Sequence, residues 1–561
     1  MKKLFVILLM LLSFSLVACG QTAGQVTRTV YVSGKQALAE GKTAQLTANV
    51  DATWTSSDES VLTVDANGLV TAVGIGTAQI NIVDKANPTN KAVHQIKVYP
   101  YTDPAAGVTI ATLEQLKNAG GTTIKLAYGF GSTIKTVIKE LIAEFEEQYA
   151  EYGITVEYDE QGGYDGLKES LVMQIQTGTA PTLAVGYPDH FAEYLVAGGI
   201  IPLDPYIKSE EVGIWDKANN TWQSDYNFYA DYLTENQQFD VNETFYGLPF
   251  NKSTEVLTYN KDFFEHFELE VPETWKELEA TAERIREIAL SGEADEEFGV
   301  NVKELAEQNK FIPVAWDSGS NLFITATRQW GGTYTEAVYE RDGRASLTAG
   351  LQKYNNPTVV GCMEYLQGLA NKNLFNVPGA WEKDYSSDVF KEIQCVMSIG
   401  SSAGVGYNVG GKCSVGVSTI PYNSETNIRQ VIQQGTNLCM FAQATPEQKL
   451  AGWLLIKYLL SPEVNAEFAI KTGYFPVSAA SENTTEYQRF LNDPTDEEVN
   501  YQLAALVNKS YRDKGFSYFT DPAWAGSSKI RTNVGNAIDT ILVARNDIRK
   551  TLSEAIQLGN Q

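Results

Sequence analysis

Histidine is scarce: His94, His190 and His266 are the only three in 561 residues, and they lie far apart. No HExxH, nucleophile elbow or ligand spacing forms around them, so metal-assisted hydrolysis and histidine-activated nucleophiles find no support. Cysteine is sparse too. Cys19 aside, Cys362, Cys395, Cys413 and Cys439 contain no CxxC pair, which argues against a zinc centre. Disulfides and buried thiols both stay open for these four. Positive charge is in deficit, with 43 Lys and Arg against 69 Asp and Glu, a formal net charge of −26. Nucleic acid or anionic lipid as a general partner is therefore excluded, since no basic patch stands out. A small anion is not excluded, because one well-placed arginine outweighs a diffuse field screened beyond about 10 Å. After the first twenty residues no apolar run approaches the ~20 needed to cross a bilayer. No 20–50-residue repeat and no low-complexity tract occurs. Acidic residues are numerous enough to supply a glycosidase pair, but without a catalytic motif no enzyme, metal or cofactor is expected.

What is present starts at the N-terminus. Lys2 and Lys3 precede a nearly all-apolar stretch from Leu4 to Val17, too short to span a bilayer as a mature helix. Leu16-Val17-Ala18-Cys19 follows, then Gly20. This resembles a bacterial lipoprotein signal with its lipobox. The resemblance implies a signal peptide over 1–19 and lipid attachment at Cys19. Two or more acyl chains, at about 0.8 kcal/mol per buried methylene, would then hold the protein at the extracytoplasmic face of the cell membrane.

From 25 to 101, short β-type stretches (26–32, 43–50, 61–64, 69–73, 78–83 and 92–98) alternate with Gly, Asn, Asp and Ser turns such as Asp65-Ala66-Asn67-Gly68. The spacing predicts a small all-β sandwich. Trp54-Thr55-Ser56-Ser57-Asp58, Asn67-Gly68-Leu69-Val70-Thr71-Ala72 and Gly74-Ile75-Gly76-Thr77-Ala78 resemble the group 2 bacterial Ig-like repeat, whose members serve as surface spacers or adhesin domains. Trp54 is expected in its core. Residues 102–121, with Pro104 and the Gly120-Gly121 pair, read as a linker.

From 122 to 561 the pattern becomes α/β. A strand from Ile124 to Tyr128 turns at Gly129-Phe130-Gly131-Ser132 into a helix. That helix carries Ile134, Val137, Ile138, Leu141, Ile142 and Phe145 on one face. Ser132 reads as its N-cap. Strands at 155–158 and 182–186 alternate with a helix at 164–176, which predicts a mostly parallel sheet. Further helices are expected at 275–288, 446–460, 495–509 and 533–558. So many residues exceed one sheet, so two α/β lobes with a cleft between them are expected.

Several motifs in this part resemble the extracellular solute-binding proteins of ABC importers, in the class that binds maltose and glycerol phosphate. They are Thr177-Gly178-Thr179-Ala180-Pro181, Tyr246-Gly247-Leu248-Pro249-Phe250-Asn251, Pro272-Glu273-Thr274-Trp275, Gln329-Trp330-Gly331-Gly332 and Thr472-Gly473-Tyr474-Phe475-Pro476. The resemblance implies a periplasmic-binding-protein-like receptor, a small-molecule solute trapped by cleft closure, and a membrane permease that receives it. A monomer is expected. Within the class the pattern is similar to glycerol-3-phosphate binders, which places candidate ligand contacts at Tyr164, Asp189, Ser253, Ser401, Ser402, Gly435, Tyr474 and Arg531. Arg531, in Ser528-Lys529-Ile530-Arg531, falls on the family's phosphate-binding arginine. Two departures are visible: Tyr187-Pro188-Asp189 stands where the family has a glutamate for the glycerol hydroxyls, and the family's paired hinge glycines read Gln434-Gly435, keeping only Gly435; within the cleft-loop motif Lys252 replaces a serine. Lys252 is as readily solvent-facing as a ligand donor. The hinge is expected near 249–255 and 435–438.

A phosphate calls for a guanidinium, hydroxyls and helix-terminal amides, which these residues supply. A neutral oligosaccharide would want aromatic platforms, for which Tyr187, Trp316, Trp330 and Trp381 are candidates. Trp316 is the foremost cleft aromatic, whereas Trp330 is expected in the core. The reading is thus a lipid-anchored binding protein for glycerol 3-phosphate, a glycerophosphodiester or a related polyol phosphate. The alternatives are an oligosaccharide binder and a surface adhesin or structural lipoprotein.

Overall fold

The computed structural model describes residues 29–298, 301–409 and 413–560. The expected signal segment, with Cys19, lies outside them.

The N-terminal module is a sandwich. One sheet orders Ala37–Ala39, Lys91–Tyr99, Gly76–Asp84 and Ala52–Ser56, and the facing sheet orders Thr43–Gln45, Leu69–Ala72 and Leu62–Val64. Its core is the alternating inward set Leu62, Val70, Ile80, Ile82, Ile96 and Val98, as a period of two dictates for half-buried strands. The Asp65-Ala66-Asn67-Gly68 turn forms as its residues require. Asp65 Oδ1 accepts from the N–H groups of Asn67 and Leu69, each at 2.8 Å, and Gly68 takes φ +84°. A β-carbon there would meet the Leu46 carbonyl and the Trp54 ring. Trp54 is half-buried and packs on the sandwich core. Two strands were not anticipated: Ala37–Ala39 is only three residues long, and Ala52–Ser56 alternates with polar ones. The stretch read as the first strand is strand only at Val32–Ser33 among the described residues.

The α/β part is organised by two long strands, Leu248–Asn260 and Gln430–Met440, that pair antiparallel through the middle of a ten-stranded sheet. Toward one end Leu438 to Met440 continue into Leu183–Gly186, then Thr122–Tyr128 and Ile154–Glu160. Toward the other, Glu255 to Tyr259 pair with Met397–Ser401, and Gln430 to Ile432 with Ser517–Phe519. Each end has its own apolar core. One gathers Leu126, Ile138, Leu171, Phe191 and Trp453. The other gathers Trp275, Trp316, Leu322, Val360 and Val534. The two lobes are joined through the crossover of two strands, which is where a hinge can work.

The helix Ser132–Gln148 buries the expected face, but its N-cap is Gly131 and Ser132 is the first helical residue with no capping bond. Trp275–Ser291 starts with a capping box between Thr274 and Glu277. The single helix expected over 533–558 is two. Ser527–Ile538 runs into a π turn at Asp539–Val543, Arg545 takes a positive φ, and Asp547 caps Ile548–Gly559. An N-cap inside an apolar periodic run is enough to restart a helix. The segment read as a linker carries the helix Leu113–Asn118, whose Leu116 is buried in the first lobe. Cys362, Cys395, Cys413 and Cys439 are all free thiols. No described helix is long and apolar enough to cross a membrane.

The sandwich is seated on both lobes. Ala37, Ala39 and Tyr99 bury against Val241, the Ala39 N–H donates to the Val241 carbonyl at 3.2 Å, and Lys35 and Lys42 pair with Glu243. On the second lobe, Asn49 Nδ2 donates to the Thr426 carbonyl at 2.8 Å.

Candidate ligand-binding cleft

The crossover strands fix the site. Gly435 sits opposite Lys252 with φ +94°, and a β-carbon on it would lie 1.7 Å from the Asn251 carbonyl oxygen. The two backbones therefore touch at the one point where both strands pass between lobes. Ser253 pairs with Gln434 and Thr254 with Gln433. The Thr254 N–H donates to Ser402 Oγ at 3.2 Å, which ties the short turn Ser402–Asn408 to the crossover.

Above the crossover lies a cavity of about 450 Å³ between the lobes. Its first-lobe wall carries Tyr164, Tyr187, Asp189, His190 and Glu235, and its second-lobe wall carries Ser320, Tyr334, Gln433, Trp524, Ser528 and Arg531. Two hydrogen bonds already span the gap: Lys168 Nζ to Ser528 Oγ at 3.1 Å, and the Gly526 N–H to Glu193 Oε1 at 2.9 Å.

Arg531 projects from the helix Ser527–Ile538, and its guanidinium donates to the Asn321 side-chain oxygen. The Asn321 amide nitrogen donates in turn to Glu255 Oε1 at 3.0 Å, as does Trp316 Nε1 at 2.9 Å. Burial raises the Glu255 carboxyl to about 8, against the pull of those two donors and of Arg531. Arg531 thus has a neutral acceptor beside it and, among the described residues, no carboxylate in contact. On the opposite wall Asp189 likewise forms no ion pair among the described residues. Tyr187 lies within the electrostatic reach of Tyr474, Arg531, Asp189 and Glu235, its hydroxyl pushed up chiefly by burial. The two walls therefore converge on one volume.

Several buried polar atoms of residues lining this cavity have no hydrogen-bond partner among the described residues: His190 Nδ1, the Tyr334 hydroxyl, Thr335 Oγ1, Gln433 Nε2 and Gln434 Oε1. Each such atom costs roughly 1–3 kcal/mol when left unmet. Their clustering on one cavity marks a place built for polar contacts from outside the chain.

Of the residues expected to touch ligand, Tyr164, Asp189 and Arg531 line the cavity. Tyr474 stands beside Tyr164, which burial, Tyr474 and Tyr187 together push upward. Ser253 and Gly435 lie on the crossover strands and Ser402 beside them, Ser253 and Ser402 being buried, and Ser401 begins the adjoining turn. Trp316 is elsewhere. It is fully buried in the second lobe, stacked on Trp275 at 5.7 Å, with its ring nitrogen bound to Glu255. Trp330 packs on the same core. Lys252 is also not solvent-facing. It is wholly buried and pairs with Glu235, while also donating to Asn437 Oδ1 at 2.8 Å and the Gly435 carbonyl at 3.3 Å. Breaking such a pair by removing one partner costs about 3–5 kcal/mol, since it strands the other charge. Glu235, Tyr334, Gln433 and Trp524 were not anticipated, because they come from loops and strands brought together only by the fold.

The sequence profile described as "Bacterial extracellular solute-binding protein" matches residues 140–495, and that of the "Bacterial Ig-like domain (group 2)" matches residues 22–94. The chain belongs to the bacterial extracellular solute-binding proteins. This solute-binding protein is 24% identical over 474 residues to the sn-glycerol-3-phosphate-binding periplasmic protein UgpB of Escherichia coli K12, covering 83% of this chain and 98% of the relative. Among solved structures it is similar to UgpB from Mycobacterium tuberculosis in complex with glycerophosphocholine, with a TM-score of 0.59 and 15% identity over 79% of this chain and 98% of that one. It is also similar to the ABC substrate-binding protein Lmo0181 from Listeria monocytogenes in complex with cycloalternan, at 0.58 and 18% over 78% and 98%. At these identities the two structures establish the two-lobed fold alone. The binding protein carries its Ig-like sandwich in front of that fold.

Proposed function

We propose that this protein is the substrate-binding lipoprotein of an ABC importer and captures a polyol phosphate, such as glycerol 3-phosphate or a glycerophosphodiester, by cleft closure. The observation that carries the reading is Arg531, which enters an interlobe cavity against a neutral amide rather than a carboxylate. A guanidinium so placed keeps its charge and its remaining donors for a bidentate anion. The orphaned polar atoms around it suit hydroxyls. Similarity over 474 residues to a glycerol-3-phosphate-binding protein supports the same ligand class.

Closure is differential binding. Only a closed state touches ligand with both walls, so the binding free energy shifts an open–closed equilibrium. The lobes hinge at Asn251–Thr254 and Gln433–Gly435, and a membrane permease takes the solute from the closed form. The layout is a signal over 1–19, a lipid on Cys19, the sandwich over 25–101, a short connection, and the receptor over 122–561, acting as a monomer at the outer face of the cell membrane.

A second reading, capture of an oligosaccharide, is favoured by the aromatic residues Tyr187 and Trp524 in the cavity wall. Thermal unfolding of a form starting after Gly20 separates the readings. A ligand at about 100 times its Kd stabilises the native state by ~2.7 kcal/mol. A shift with sn-glycerol 3-phosphate that vanishes in Arg531→Ala supports the polyol-phosphate reading. A shift with maltose-type sugars alone replaces it with the second, and no shift with any solute favours a surface adhesin.

A further inference from the structure

Four carboxylates line the cavity: Asp165, Asp189, Glu235 and Asp521. Two of them are spoken for or turned away. Asp521 is held by Arg328 Nη2 at 2.7 Å with both side chains largely covered. The Asp165 side chain is 87% exposed and sits 3.9 Å from Lys168. Glu235 differs from both. It is only 3% exposed yet belongs to the wall, and its partner Lys252 reaches it from behind, out of the crossover strand.

The support is closed on itself. The Lys252 ammonium has three acceptors in place: Glu235 Oε1, Asn437 Oδ1 and the Gly435 carbonyl. Three protons meet three oxygens, so the cation has no donor left for a ligand. Asn437 is itself oriented, because Asn236 Nδ2 donates to its side-chain oxygen at 2.8 Å. Glu235 Oε1 is consumed by the lysine, whereas Oε2 has no hydrogen bond among the described residues and is not one of the buried orphans. A carboxylate pinned by one oxygen, with the other left open at a cavity wall, is an acceptor prepared in advance.

We infer that Glu235 Oε2 is the acceptor for ligand hydroxyls in this cleft, that Lys252 is its positioning residue, and that the solute therefore carries free hydroxyl groups. The inference rests on the cleft being the solute site, and not on the anionic group of the polyol-phosphate reading. It gives Glu235 the work that a glutamate at Asp189 would otherwise do, and it explains why Lys252 is buried. A lysine in place of a serine at that strand position would be a stranded charge without Glu235, and Glu235 without the lysine would be a stranded carboxylate.

The test is calorimetric titration of wild type, Glu235→Gln and the double variant Glu235→Gln/Lys252→Met with sn-glycerol 3-phosphate, inorganic phosphate and maltose. The double variant removes both charges together and keeps the comparison available should the single variant not fold. The expected result is at least a tenfold rise in Kd for glycerol 3-phosphate in both variants, with inorganic phosphate, which has no alcohol hydroxyl, changed by less than twofold. Should wild type bind maltose and not glycerol 3-phosphate, the polyol-phosphate reading fails by itself. A tenfold loss of maltose affinity in the variants then still upholds Glu235. Unchanged affinity of both variants for whichever solute wild type binds overturns the inference. So does wild type binding none of the three.

Discussion

Arg531 and Asn321 meet across two helices of the second lobe, the guanidinium donating to an amide oxygen whose own nitrogen is committed to Glu255. The orientation of that amide is thereby fixed. It offers the arginine an acceptor without offering it a counter-charge, so the cavity keeps one cation whose field is not cancelled locally. Low effective dielectric in a cleft closed on both sides makes that cation count for more than a surface arginine would.

Replacing Arg531 by Ala is expected to weaken an anionic solute by about 10–100-fold, the worth of a charged hydrogen-bond pair at roughly 1.5–3 kcal/mol. Arg531→Lys is expected to recover only part of it, since a point charge does not reproduce the fork. Titration calorimetry at fixed ionic strength reads both.

Glu255 makes stability depend on pH. Burial raises its carboxyl from 4.5 to about 8. The unfolded chain therefore loses that proton near pH 4.5 while the folded protein keeps it. Its stabilising contribution is complete below about pH 4.5 and is lost as pH rises toward 8, at up to ~1.4 kcal/mol per pH unit. Glu255→Gln removes the titration. Urea unfolding of both proteins between pH 5 and 8 should show the wild type losing ground steadily relative to the variant. Parallel curves would mean that Glu255 is ionised in the fold.

The fold was legible where one segment speaks for itself. The stripe of Val137, Ile138, Leu141, Ile142 and Phe145 announces its helix because burial of one face needs only periodicity. The helix from Trp275 starts on an equally local device, the capping box of Thr274 and Glu277. The break at Arg545 was hidden inside an apolar run, and Asp547 was the available signal for it. Of the site, Arg531, Asp189 and Tyr164 were reached through likeness to a family. Lys252 was noticed only as a replaced serine and Glu235 not at all, because a buried ion pair joins a loop to a strand 17 residues on and each looks like a surface charge alone. Trp316 misled for the converse reason: an aromatic beside Asp317 and Ser318 looks like a cleft residue until its ring is seen stacked on Trp275.

The sandwich should loosen from the receptor when Glu243 is lost. Burial pushes that carboxyl up, but Lys35 and Lys42 outweigh burial and hold it below its ordinary value. Its contribution is present above the ordinary glutamate range and disappears as pH falls through the lowered value. In Glu243→Ala, the Ala39 amide, which donates to Val241, is expected to exchange hydrogen several-fold faster. Amides of Ile80 and Ile82, in the interior of the sandwich, should be unchanged. Uniform acceleration across 29–99 would instead point to unfolding of the module.

Gly435→Ala is expected to be among the most damaging single substitutions in the chain. A positive φ costs an alanine about 1–2 kcal/mol by itself. Here the added methyl would also sit 1.7 Å from the Asn251 carbonyl oxygen, a backbone atom that cannot swing aside. Relief requires the two crossover strands to part at the point where Lys252 donates to the Gly435 carbonyl. The lobes' relative setting and the buried ion pair would be disturbed together. Gly107→Ala is the control: φ is +73° there and nothing lies within 4 Å, so only the conformational cost applies. Urea midpoints should place the Gly435 variant at least ~2 kcal/mol below the Gly107 variant, with ligand affinity lost only in the former. Equal destabilisation would show that the strands can separate at this point without strain, and a rigid hinge contact at Gly435 would then have to be abandoned.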